Sequence, residues 1–207
     1  MRCILIISLL LTCLGGEGWA QWDVSALRTL GGECFIADRS VDESKLTLKF
    51  SRFSASLDSF GGRLLVDEAD CTAGVQFKVP PRQKLDSLTH RVFAYANKNE
   101  AASVALDVIL SLYTHPFKIH GQLPDGTAFN NTVLLYKYFY AGSFFECFDE
   151  ARTVDVTMNW KLKVKSDGDN GRATLNLSGD DLWTDSWIET IPCDSTTSFA
   201  MSDDALR

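Results

Sequence analysis

Between Asp70 and Pro81 the chain reads DCTAGVQFKVPP, where Cys71, Ala73, Val75, Phe77 and Val79 alternate with Thr72, Gly74, Gln76 and Lys78. A period of two predicts a strand with one buried face, and Pro80-Pro81 predicts its end. The same grammar recurs at Leu46, Leu48 and Phe50, after which the apolar phase slips to Phe53, Ala55 and Leu57, as a β-bulge within one long strand would make it do. Gly61-Gly62 reads as a turn and Arg63 to Val66 as a short strand. Val104, Leu106, Val108, Leu110 and Leu112 alternate with Asp107 outward, and Leu134 to Ala141 has the tyrosine and phenylalanine content of another strand. The longest alternation is Val154, Val156, Met158, Trp160, Leu162 and Val164; the polar SDGDNG at 166–171 then leads into Ala173, Leu175 and Leu177, which predicts a hairpin.

Elsewhere the pattern is less regular. Trp22, Val24, Leu27 and Leu30 fit a short helix stopped by Gly31-Gly32. The polar run RQKLDSLTH at 82–90 reads as a loop, and the residues from His90 to Tyr113 as two strands around Asn97-Lys98-Asn99. Pro116 is expected to break any continuation, and Pro124-Asp125-Gly126-Thr127 to turn the chain. Many short strands with little helix predict an all-β fold, an antiparallel β-sandwich or jelly-roll in a single domain.

Composition changes the picture mainly by adding a compartment. Arg2, the apolar run Ile4 to Leu14 and the small residues Gly18 and Ala20 predict a signal peptide over 1–20, with the secreted domain over 21–207. The run is short of the roughly 20 apolar residues a spanning helix needs, so stable membrane insertion after signal removal is not expected, and lipid attachment at Cys13 is the competing reading. A net charge of −7 speaks against nucleic acid as a partner. With Cys3 and Cys13 in the leader, Cys34, Cys71, Cys147 and Cys193 remain, and an oxidising destination predicts two disulfides. Three connectivities are open; Cys34 with Cys71 and Cys147 with Cys193 is preferred, because each pair brackets its own group of strands. No close C-x-x-C pair suggests a metal, and no cofactor is implied.

Several features taken together resemble a known family. They are Gly-Gly-x-Cys at Gly31 to Cys34, LTLKFSRFSAS at Leu46 to Ser56, the cysteine-led strand Cys71 to Pro80, Arg-x-Phe-Ala at Arg91 to Ala94, Tyr113 with Gly121, and the late cysteines Cys147 and Cys193. In this order the chain resembles the family known as domain of unknown function number four thousand three hundred and sixty. The resemblance implies a small secreted β-protein with two disulfides and no assigned activity.

Candidate chemistry concentrates in SGDDLWTDSWIET at Ser178 to Thr190. In an extended chain Asp181, Trp183, Asp185, Trp187 and Glu189 share a face, with the two indoles about 13 Å apart. Trp183 and Trp187 could then stack on sugar rings while Asp185 and Glu189 accept hydroxyl hydrogen bonds. The same pattern fits tryptophans packed in the core beside a solvated acidic rim. The expectation is therefore a non-enzymatic binding or structural module at the cell surface or wall, with an extracellular glycan or wall component as partner. The alternative is a secreted glycan-active hydrolase using Asp181, Asp185 or Glu189. Asp167, Asp169 and Asn170 could ligate calcium, but the EF-hand spacing fails and hairpin-turn chemistry is the better account of them. His90, His115 and His120 are scattered, without a nucleophile motif, and read as surface or core residues. The sequons at Asn130 and Asn176 would carry glycans on loops in a glycosylating host.

Overall fold

A computed structural model describes residues 20–32, 34–42, 44–58, 65–113, 115–142, 146–166 and 170–193. The expected leader, apart from Ala20, and the expected turn at Gly61-Gly62 lie outside them, as do residues 167–169 of SDGDNG. The described residues form twelve strands and no helix: β1 (Gln21–Gly32), β2 (Phe35–Asp42), β3 (Lys45–Arg52), β4 (Ser54–Asp58), β5 (Val66–Val79), β6 (Gln83–Lys98), β7 (Ala102–Leu112), β8 (His115–Gln122), β9 (Phe129–Tyr140), β10 (Arg152–Ser166), β11 (Arg172–Asn176) and β12 (Trp183–Pro192). They make two antiparallel sheets packed face to face. The first has the order β1-β5-β10-β7-β8, and the second runs β2-β3-β12-β6-β11-β4 with β9 on the other side of β6.

The alternating segments bury the residues their period requires. Cys71 to Val79 on β5, Val104 to Leu112 on β7 and Val154 to Val164 on β10 line the inner face of the first sheet. Leu46, Leu48, Phe50, Leu88, Val92, Ala94 and Ile188 line that of the second. Trp160 joins the two: it is fully buried, with its ring 5.3 Å from Phe50 and 6.2 Å from His90. A side chain of that size in such a site contributes about 3 to 5 kcal/mol. Both disulfides take the preferred pairing, Cys34 with Cys71 and Cys147 with Cys193, with Cα separations of 5.4 and 5.6 Å. Such cross-links fit an oxidising environment.

Five expectations are corrected. Residues Trp22 to Leu30 are not a helix but the middle of β1, whose pairing with β5 jumps between Asp23 and Arg28 and again between Thr29 and Gly31. Those irregularities spread the apolar residues unevenly and mimic a helical spacing. Gly32 is no helix stop; its φ is +98°, and a Cβ there would lie 2.1 Å from the Asp70 carbonyl oxygen, so glycine is what lets β1 close on β5. RQKLDSLTH is not a loop but mostly the first half of β6, a strand paired on both edges. Its period is hidden because Asp86, Ser87 and His90 are buried polar residues.

The hairpin after SDGDNG is likewise absent. Both edges of β10 are taken by β5 and β7, so β11 has no edge to pair with and crosses to the second sheet, between β4 and β6. Pro116 does not end the strands either. The chain reverses just before it, and Pro116 sits within β8 opposite Ser111, on an edge strand where a missing N–H is tolerated. The phase slip at Phe53 is a one-residue break between β3 and β4, which follow β12 and β11 in turn.

β6 organises the second sheet. Along one edge it pairs with β12 through Gln83 to Phe93 and with β11 through Tyr95 to Lys98, while β9 covers the other from Ser87 to Lys98.

Candidate functional site, an aromatic and cationic sheet face

In an antiparallel ladder, residues directly opposite one another project to the same side. On β6 the side facing away from the core carries Thr89, Arg91 and Phe93. Across one edge they meet Trp187, Asp185 and Trp183 of β12; across the other, Tyr138, Tyr136 and Leu134 of β9. β3 extends two of these rows, with Lys45 opposite Trp187 and Thr47 opposite Asp185. Residues distant in sequence are thus brought onto one outward face.

Asp185 stands at its centre with no exposed side-chain surface. Arg91 donates from Nε to Oδ1 and from Nη2 to Oδ2, both at 3.1 Å, and the Lys45 ammonium lies 3.3 Å from Oδ2. A buried carboxylate is tolerable only when paired in this way. The two cations are in turn stacked on the indoles. The Arg91 guanidinium is 3.9 Å from the Trp187 ring centre and 5.4 Å from that of Trp183; Lys45 Nζ lies 5.1 and 5.7 Å from the same two rings. Each such contact contributes about 0.5 to 2 kcal/mol. Phe93 packs on Trp183 with ring centres 3.9 Å apart. The result is a preorganised aromatic platform stiffened by ionic pairing.

Trp183 and Trp187 therefore share one face and are half-buried, in neither the core nor full solvent. Asp185 is on that face too, but its oxygens serve Arg91 and Lys45 and not an incoming hydroxyl. Glu189 is exposed one row on and accepts a hydrogen bond from Ser87 Oγ at 2.7 Å. Asp181 lies in the turn before β12. Beside these stand Tyr136 and Tyr138, exposed by 59% and 44%. Sequence reading places neither the tyrosines nor Arg91 and Lys45 at the site, because only the pairing register reveals that they adjoin the tryptophans. The YKYFY repeat at 136–140 was the available signal.

Further along the same face the rows turn polar. A pocket of about 720 Å³ is lined there by Ser56, Asp58, Asn97, Asn130, Arg172 and Thr174, among others. Arg172 Nε meets Asp58 Oδ1 at 3.0 Å. The two sequons lie on strands and not on loops. Asn130 is exposed on β9 and accepts a hydrogen bond from the Tyr95 hydroxyl. Asn176 ends β11 with its side chain tied to Ser178, donating to the carbonyl at 2.8 Å and accepting from the amide at 2.8 Å and the hydroxyl at 2.6 Å.

Among the described residues, the other polar groups that draw attention are buried or paired. His90 Nδ1 and Ser186 Oγ are 2.7 Å apart, a distance that suits a nucleophile and its base, yet both residues are sealed in the core. Burial alone pushes the His90 pKa down to about 3, so the ring is neutral at ordinary pH. Asp86 is the extra residue of a bulge opposite Glu189 and Thr190. Burial, and then the charge of Glu189, hold its carboxyl above the usual range. His120 pairs with Asp107 at 2.6 Å on the outside of the first sheet. Among the described residues no group of His, Cys, Asp and Glu is arranged to hold a metal ion.

Fold and face together define a disulfide-stabilised β-sandwich with one aromatic outer surface. No family model and no curated protein matches the chain. Among solved structures it is similar to the crystal structure of the enzymatically active domain of bacteriophage CBA120 tailspike protein 4, at 12% identity and a TM-score of 0.20. That overlap takes in 72% of this chain and only 20% of the tailspike chain, and a superposition so loose says nothing about shared chemistry.

Proposed function

We propose that the chain is a secreted, non-enzymatic glycan-binding module that recognises an extended polysaccharide on the outer face of the second sheet. One observation carries this reading: Trp183 and Trp187 are locked in place by the Asp185, Arg91 and Lys45 cluster and share their outer face with the exposed Tyr138, in the row of Trp187, and Tyr136, in the row of Asp185. Flat rings take the apolar faces of sugars, and rings held in advance lose little entropy on binding. The polar rows beyond supply the amides and hydroxyls that sugar hydroxyls need.

Binding to a glycan array and to insoluble wall polysaccharides, with reducing-sugar release followed in parallel, tests the proposal. Binding without release, abolished in a Tyr136→Ala/Tyr138→Ala double variant, supports it. Absence of binding to every glycan overturns it. A second reading, a glycan-active hydrolase, has one observation in its favour: Asp86 has a raised pKa beside Glu189, and acid and base roles need carboxyls pushed apart in this way. Sugar release that disappears in Asp86→Asn would put that reading in place of the first.

A further inference from the structure

We infer that the glycan taken by this face carries carboxylate groups, and that Arg91 and Lys45 are the residues that read them. The inference rests on the glycan-binding proposal and names its ligand class. The chain as a whole is acidic, with net charge −7, yet the centre of the aromatic face holds two cations for one anion. The three charges are also layered. Asp185 has no exposed side-chain surface, whereas Arg91 and Lys45 are 31% and 33% exposed, so a ligand arriving at the face meets the cations.

The geometry leaves them donors to offer. Asp185 occupies Nε and one hydrogen of Nη2 of Arg91. The end-on fork, made by the Nη1 hydrogens and the second Nη2 hydrogen, remains, and it matches the two oxygens of a carboxylate. Lys45 spends one contact on Asp185 and has two further N–H groups. The flanking indoles fix the guanidinium plane and keep water from part of it, which strengthens any ion pair made there. A neutral sugar would use the rings of Trp183, Trp187 and Tyr136 but leave the surplus positive charge unanswered. A uronic acid uses both. Two exposed acids adjoin this face: Glu189 lies one row from Asp185 and is engaged by Ser87, and Asp42 stands on β2 opposite Lys45, on the far side of it from Arg91, so neither occupies the Arg91 fork.

The test uses the folded, disulfide-bonded chain and titration calorimetry against polygalacturonate, alginate and hyaluronan, each beside its carboxyl-reduced counterpart. At least one uronan should bind about tenfold or more tightly than its reduced form, and more weakly as salt rises. Lys45→Met keeps the stem over the indoles but removes the charge and should lose about tenfold in affinity, while Lys45→Arg retains binding. Equal binding of native and reduced polymers overturns the inference, as does binding confined to cellulose, xylan or dextran sulfate. Those outcomes leave the glycan-binding proposal standing. Failure of every glycan to bind removes both.

Discussion

On the outer face of the first sheet, Glu68 lies between Lys161 and Lys163 at 2.6 and 2.7 Å, Gln76 donates to Asp155 at 2.7 Å, and His120 meets Asp107. On the outer face of the second, the strands present Trp183, Trp187, Phe93, Tyr136 and Tyr138 around a single buried carboxylate. Both sheets turn alternating apolar residues inward, and both carry ion pairs outside. The difference is in what those pairs do. In the first sheet they are exposed, screened by water and salt, and sit on short-range partners. In the second a carboxylate is withdrawn from solvent beneath stacked rings, where its pairing decides the shape of a surface. A protein that needs only solubility has no use for the second arrangement.

The comparison can be broken or sharpened by experiment, starting behind the second sheet. His90 stays neutral in the fold down to about pH 3, while an unfolded histidine takes its proton near 6.5. Between those values the unfolded chain binds more protons, so stability rises with pH and is lost as pH falls from 6.5 toward 3. The full window is worth about 5 kcal/mol at most. Urea midpoints should fall steadily on acidification, and His90→Gln, which keeps a hydrogen-bonding group beside Ser186, should flatten that fall. An unchanged slope in the variant would remove His90 from the account.

Next in size is Asp185→Ala, which leaves two cations facing each other under the indoles. It should cost about 2 to 3 kcal/mol in urea denaturation, discounted for the partial exposure of Arg91 and Lys45. A cost under about 1 kcal/mol would mean that this face, like the first, is held by strand packing alone. Tyr136→Ala and Tyr138→Ala should each leave stability within about 0.5 kcal/mol while lowering affinity for the best array glycan about tenfold. If they change stability and not affinity, the aromatic rows are structural.

The smallest effect is expected at Glu68. Hydrogen bonds from Lys161 and Lys163 lower its carboxyl to about 2, so whatever it contributes is present above the ordinary value of 4.5 and lost as pH falls through about 2. Glu68→Gln should leave the neutral-pH midpoint within error, and a clear drop would make the two faces alike.

The strands most legible in the sequence are those with one dry face and one wet one. β5, β7 and β10 show an unbroken period of two because every inward position is apolar. β6 is only half legible, since Ser87 and His90 are buried polar groups whose hydrogen-bond partners, Glu189 and Ser186, stand about a hundred residues away. β1 was misread because its irregular pairing removes the period that identifies a strand. The hairpin after β10 failed for a different reason: alternation predicts a strand but says nothing of which edges are vacant. At the site, parity alone put Trp183 and Trp187 on one face. What could not be read was their company, because Arg91 and Lys45 reach them only through the register of β12 with β6 and β3.

The position of β12 has a consequence for how the chain is made. Among the described strands it is the last in sequence order, yet it fills the slot between β3 and β6. While the polypeptide emerges from the ribosome, β3 and the first half of β6 each wait with an open edge for a segment not yet synthesised. Such edges are templates for wrong pairing, and contacts so far apart in the chain close slowly. Cys193 follows β12 immediately and bonds back to Cys147, so this late insertion is also one that oxidation locks. A nascent chain cut short before Trp183 should therefore be bound for aggregation, however complete its first sheet.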